Sequence, residues 1–157
     1  TGANQYRRGL YTWVQRTFPH PSMLAFDAPS REACTAERTR SNIPQQALVL
    51  LNDPSYVEAA RAFAERILSG CPGTPEDRLT WAWQQALQRA PSEEEIKTMR
   101  ALFQERLAAY GSDGASADAL LKIGIAPLPP TMDKAELAAW THVARVLLNL
   151  HETITRS

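Results

Sequence analysis

A polar segment between Arg31 and Gln46 holds the residues best suited to binding chemistry in this 157-residue chain. Guanidinium and amide groups form planar, multidentate hydrogen bonds. The segment therefore predicts either a surface for a glycan or an anionic ligand, or an internal network of ion pairs and caps that fastens an irregular loop to helices. The candidate polar surface comprises Arg31, Arg38, Arg40, Asn42 and, just beyond the segment, Asp53.

Other site chemistry finds little support in the residue pattern. The three histidines lack the i, i+4 spacing that places two imidazoles on one metal. Cys34 lies near Arg31, but we expect a small buried thiol there rather than a nucleophile, and with Cys71 it makes too few cysteines for a zinc site or a disulfide framework. The C-x-x-C-H haem motif, the G-x-S-x-G elbow and the glycine-rich phosphate loops do not occur. We therefore predict no catalytic, cofactor-binding or metal-ligating residue, and no cofactor in this domain.

The composition of the chain limits its expected partners, its number of domains and its relation to a membrane. Seventeen basic and 17 acidic residues give zero net charge, which argues against a nucleic-acid partner. Hydrophobic residues make up 44% of the chain, which suits one domain over residues 1–157. No apolar run approaches the ~18 residues that suggest a membrane span. We expect the chain to be the C-terminal part of a larger protein.

Start signals divide most of the chain into helices. Proline at a first helical position, and Ser, Thr or Asp at an N-cap with an acidic residue three positions later, are typical of helix starts. Such signals occur at Pro44, Asp53-Pro54, Thr74-Pro75, Ser92 with Glu95, and Asp133 with Glu136. With short helices over 6–17 and 115–122, the pattern predicts an all-α fold of six or seven helices in a mixed or orthogonal bundle, with ordered Pro-rich loops over 18–30 and 125–131.

The pattern of apolar side chains predicts where particular aromatic residues lie and how far the last helix extends. Aromatic rings near the polar segment are expected to pack in the core, with stacking on sugar rings as the alternative. Trp81 is expected to point away from the apolar face of its helix, and the last helix to continue through His151. The aromatic residues concerned are Tyr6, Tyr11, Trp13, Phe18 and Phe26.

Three stretches of the chain carry a family resemblance: RRGLYTWVQRTFPHPSMLAFDAPSREACTAERTRSNIPQQALVLLNDPSYVEAARAFAERIL, ALQRAPSEEE and AAWTHVARVLLNLHETITRS. With them the chain resembles the C-terminal domain of unknown function number fifteen fifty-three found in large planctomycete cell-envelope proteins. The polar positions that match the family are Arg31, Cys34, Arg38, Asn42 and Asp53. Two departures weaken Gln45 and His151 as shared functional positions, because the family has Pro-Leu-Gln-Ala at 44–47 and often Asn-Glu-Phe near the end.

The resemblance implies an exported parent protein in the cell envelope, periplasmic or secreted. An upstream domain of unknown function, and often a cytochrome c-like domain that would carry any haem, would precede this chain. We therefore expect a non-catalytic module that packs on upstream domains of the same chain and helps to form a ligand or partner surface. The alternative is part of a composite enzyme or glycan-binding site that uses Arg38, Arg40 and Asp53.

Overall fold

A computed structural model describes residues 9–15, 17–29, 34, 36–37, 41 and 43–154, without the side chain of Leu10. Over these ranges the chain is helical and has no strand, which confirms the all-α class. Six of the eight α-helices described have seven or more residues. None of them combines the length and apolar character needed to cross a bilayer. The helices are α1 (Pro21–Ala25), α2 (Pro44–Asn52), α3 (Pro54–Gly70), α4 (Pro75–Leu87), α5 (Glu93–Ser112), α6 (Gly114–Leu121), α7 (Lys134–Leu148) and α8 (His151–Ile154).

The chain divides into two compact units, unit 1 over residues 1–53 and unit 2 over residues 54–157. The division falls at the Asp53-Pro54 pair, where α2 has ended and Pro54 opens α3. A single domain over 1–157 stays a prediction. Each unit is described by itself.

Helix α7 lies at the centre of unit 2, packed by α3, α5 and α6. Its inner side chains recur at helical spacing and are fully buried, as the apolar stripe in the sequence predicts. Burial of each large side chain contributes about 1.5–3 kcal/mol. The largest fully buried apolar side chains are Trp140, Ile67, Leu79, Leu121, Leu137, Leu147 and Val143.

The predicted capping signals of unit 2 are confirmed. Ser92 and Glu95 form a reciprocal capping box in which the Ser92 amide donates to the Glu95 carboxylate at 2.7 Å. Thr74 forms the same box with Asp77. Helix α5 continues to Ser112, and Asp113 caps α6.

The predicted helix over 6–17 is wrong for its described residues. Only Gly9–Tyr11 is helical, as a single 3-10 turn, and residues 12–15 are not. Gly9 weakens a helix interior, and the β-branched Thr12 and Val14 favour extended backbone. Gln15 instead forms an isolated antiparallel bridge with Phe18.

Three other expectations need correction. The loop predicted over 18–30 contains α1, because Pro21 is favourable at a first helical position. Trp81 packs against the core, with its ring centroid 6.5 Å from that of Phe63. Helix α7 ends at Leu148, and the exposed His151 begins α8 instead of extending the stripe.

Two buried charges on α3 bind the turn that follows α6. Glu58 and Arg61 are each only 3% exposed. The Glu58 carboxylate accepts hydrogen bonds from the amides of Ile125 and Ala126 at 2.7 and 3.1 Å. Arg61 donates to the carbonyls of Ala126, at 2.8 Å, and Leu121. Buried charges are costly unless hydrogen-bonded, so this Glu58–Arg61 clamp holds only while the turn keeps its shape.

Gly124 permits the close approach of the turn to α3. Its φ of +100° lies in the region that favours glycine, and a Cβ there would overlap the Glu58 carboxylate. The turn and the clamp are therefore mutually dependent.

Removing the Glu58 carboxylate should destabilise unit 2 strongly. Glu58→Ala removes the carboxylate that accepts from the Ile125 and Ala126 amides, so the free energy of unfolding should fall by about 2–3 kcal/mol. Urea denaturation of the 157-residue chain measures the change. The control Glu105→Ala removes a carboxylate whose side chain is 66% exposed and should change stability by less than about 0.5 kcal/mol. Equal losses in the two variants would contradict the clamp.

Arg89 connects the start of α5 to α8. Its guanidinium forms two hydrogen bonds with Glu95, at 2.7 and 3.0 Å, and two with Glu152, at 2.8 and 3.0 Å. It also lies 5.8 Å from the centre of the Trp83 ring. The hydrogen bonds from Arg89 and from the Ser92 amide lower the pKa of Glu95 to about 2.

The Arg89 network should make stability fall in acid. Because the folded pKa of Glu95 lies below its ordinary value of 4.5, its stabilisation is present above pH 4.5 and is lost as the pH falls towards 2. Chemical denaturation between pH 6 and 2 should show the decrease, and Glu95→Gln should reduce its slope. The exposed neighbour Glu94 provides the control, and a Glu94→Gln variant with the same reduced slope would refute the assignment.

Candidate functional site

The base of the polar segment is held by a contact between Asp27 and Ser41 in unit 1. The Asp27 carboxylate accepts hydrogen bonds from the Ser41 amide at 2.6 Å and from its hydroxyl at 2.8 Å. Asp27 has a φ of +54°, a left-handed conformation that Asp tolerates better than most residues. The contact brings positions 27 and 41 together, and we call this junction of the two positions the neck.

Helix α2 fixes one side of this neck. The Gln46 side-chain amide on its first turn donates to the Ser41 carbonyl at 3.0 Å. Pro44 begins the helix and sets the position of Gln46. Through Gln46, the hydrogen-bond network of Asp27, Ser41 and Gln46 is attached to helix α2.

The structure describes only part of the predicted site. Arg31, Arg38, Arg40 and Asn42 lie outside the described residues. Asp53 follows α2 and accepts a long hydrogen bond, 3.4 Å, from the Ser22 hydroxyl of α1. Since this bond is weak, its share in holding α1 to α2 is small.

Cys34 is exposed, which contradicts the expected buried thiol. Burial needs a side chain on the inner face of a packed element, and the described residues 34, 36 and 37 have no regular secondary structure and are all exposed.

The pairing of Asp27 with Ser41 was not predicted from the sequence. The turn-forming residues Asp27 and Pro29 are a local signal, but the pairing spans 14 positions.

Large apolar side chains of unit 1 are exposed. Trp13 is 85% exposed, and none of the side chains described in unit 1 is buried. The expected core packing is therefore wrong for Tyr11, Trp13 and Phe18, while Phe26 is half-buried and Tyr6 lies outside the described residues. Such short elements with few neighbours cannot enclose large rings. The exposed apolar set is Tyr11, Trp13, Phe18, Leu24 and Leu48.

A family model described as PSD1, protein of unknown function (DUF1553), matches residues 1–103, more than half of the chain. The chain belongs to this family. The family predicted from the polar segment and its flanks is thereby confirmed, whereas planctomycete origin and upstream domains stay predictions. The PSD1 match includes the whole of unit 1 and, in unit 2, α3 and α4 with about half of α5. No curated protein and no solved structure matches the chain.

Weakening the Asp27 contact should open the neck. Asp27→Asn keeps a residue that tolerates a positive φ but removes the charge, so the Ser41 amide should exchange its hydrogen roughly tenfold faster. Amide hydrogen exchange measured by NMR on the 157-residue chain tests this. The control Asp53→Asn changes a carboxylate of unit 1 outside the Asp27–Ser41 contact and should leave the Ser41 rate unchanged. An unchanged rate in Asp27→Asn would show that this contact does not close the neck.

Proposed function

We propose that this PSD1 chain is a non-catalytic module whose unit 1 docks on an upstream domain of the same polypeptide, in an exported multidomain protein. The observation that supports this proposal is the exposed apolar set, above all Trp13 at 85% and Phe18 at 76% exposure. Single exposed apolar residues are ordinary, but several large ones in a unit without a buried side chain among its described residues suggest a covering partner.

Burial of these rings on a partner would supply useful binding energy. Trp and Phe each bury about 150–250 Å² when covered. At ~25 cal/mol/Å², one such ring contributes at most about 4–6 kcal/mol before the costs of association. Two or three of these rings are therefore sufficient for a stable contact with a domain tethered in the same chain, since a tether raises the effective concentration.

The composition of unit 1 also suits an interface. Residues 1–53 contain six arginines and no lysine, against four carboxylates. Interfaces are enriched in aromatic residues and arginine and depleted in lysine. Arginine pairs with carboxylates in planar geometry, so we expect the partner surface to combine apolar side chains with Asp or Glu.

Comparing the effect of Trp13→Ser in the longer parent protein with its effect in the 157-residue chain tests the docking proposal. In the longer parent protein the substitution should lower the Tm and speed proteolysis between unit 1 and the upstream domain, because it removes a buried ring. In the 157-residue chain alone it should change the Tm little, because Trp13 is already exposed. Thermal unfolding and limited proteolysis of both proteins give these measurements.

The matched control is Ile154→Ser, which replaces a 38% exposed apolar side chain of unit 2 and should behave alike in both contexts. Equal effects of Trp13→Ser in the parent and in the isolated chain would contradict docking. So would a parent without an upstream domain. Concentration-dependent dimerisation of the 157-residue chain that Trp13→Ser abolishes would identify a second copy as the occupant and overturn the proposal.

A glycan-binding site, alone or as part of a composite enzyme site, is the second candidate. The exposed rings favour it, because aromatic faces stack on sugars and the arginines of the polar segment can bind hydroxyl and acidic groups. On a glycan array, this candidate requires that Arg38→Ala and Trp13→Ser each reduce binding by the parent. Unchanged glycan binding in Arg38→Ala rules it out, whereas docking predicts a loss of assembly or stability instead.

A further inference from the structure

The connection between α6 and α7 in unit 2 contains a short run of prolines. We call residues 127–130, which read Pro-Leu-Pro-Pro, the proline segment. The ring of each proline fixes φ at about −65°, and a residue that precedes proline is confined to extended backbone. Ala126, Leu128 and Pro129 each precede a proline. Steric restriction alone therefore favours a polyproline II conformation over the whole segment.

The exposure of the proline segment follows the period of this conformation. A polyproline II helix has about three residues per turn, so positions 127 and 130 lie on one edge of it. Pro127 and Pro130 are exposed, whereas Leu128 and Pro129 are half-buried. The Leu128 side chain packs against the core of unit 2. One edge of the segment therefore faces the core, and the opposite edge presents two proline rings to solvent.

Both ends of the proline segment are fixed by contacts within unit 2. At its start, the Glu58–Arg61 clamp binds the amide and the carbonyl of Ala126. After its end, Met132 packs against the core and Asp133 caps α7. The conformational entropy of the segment is therefore already lost on folding, which lowers the cost of binding a partner.

The exposed edge offers apolar surface and carbonyl groups but no charge. Residues 123–132 contain no charged side chain, and Ile125, just before the segment, is 52% exposed. Proline has no N–H to donate. No group among the described residues donates a hydrogen bond to the carbonyls of Pro127 or Leu128. A partner for this edge must therefore supply apolar surface and hydrogen-bond donors rather than charge.

We propose that the proline segment, together with Ile125, is a docking surface for a protein whose groove is lined by Trp and Tyr side chains. Aromatic-lined grooves bind polyproline II ligands, because flat rings pack against prolines spaced one turn apart. The indole N–H and the phenol O–H also supply the donors that the open carbonyls require. This surface belongs to unit 2, so it is separate from the exposed rings by which unit 1 is proposed to dock.

Titration of the 157-residue chain with a panel of purified SH3 and WW domains tests this surface, because both kinds of domain bind polyproline II ligands in aromatic-lined grooves. At least one domain of the panel should bind. It should shift the amide NMR signals of Ile125, Leu128 and Thr131, which lie next to the two exposed prolines. Absence of binding by every domain of the panel would overturn the proposal.

Proline variants show whether the binding uses this edge. Pro127→Ala and Pro130→Ala should each weaken it about tenfold, because each removes one ring from the exposed edge. The matched control is Pro72→Ala, which removes an exposed proline from the connection between α3 and α4 and should leave the affinity unchanged. Thermal unfolding should show all three variants folded, since the positions are exposed. Full affinity in Pro127→Ala or in Pro130→Ala would contradict the proposal.

Discussion

The buried charges of Glu58 and Arg61 constrain the whole of unit 2, because they join the first helix of the unit to the turn after α6. Between them they bind both the amide and the carbonyl of Ala126, along with peptide groups at 121 and 125. The turn fixes where α6 ends and the chain starts back toward α7. Helix α7 is the element on which α3, α5 and α6 pack, and the clamp holds the turn between α6 and the loop that leads into it. Burying two charges is costly unless they are hydrogen-bonded. Few other conformations of the turn would offer the same amides and carbonyls, so the charges favour the conformation that is observed.

Unit 1 depends on a different kind of constraint. Its neck is a local hydrogen-bond network, and its apolar side chains are exposed where those of unit 2 are enclosed. Hydrophobic burial is the main favourable term in folding, and a segment without it has little to offset its conformational entropy. The proposed docking role follows from this contrast, because a partner surface would provide the missing burial.

Local signals in the sequence predicted local structure well. The boxes at Ser92 and Thr74 and the proline at Pro44 involve residues three positions apart or fewer, so the pattern itself contains the interaction. Long-range contacts were not predictable in the same way. Arg61 meets Ala126 across 65 positions and Tyr110 meets His142 across 32, and nothing in a single sequence pairs them. The helix predicted over 6–17 is absent from its described residues apart from one 3-10 turn, because Gly9 and two β-branched residues weaken it and no described side chain there is buried. The role of Arg31, Arg38, Arg40 and Asn42 stays a prediction.

Native-state hydrogen exchange of the isolated 157-residue chain compares the stability of the two units directly. Unit 2 has its own core and clamp, whereas none of the described side chains of unit 1 is buried, and in the proposed function a partner covers them. Amides within α3 and α7 should then exchange only through global unfolding, and those of α2 should exchange orders of magnitude faster by local opening. Equal protection of α2 and α7 in the isolated chain would contradict the account, because unit 1 would then be stable without any partner.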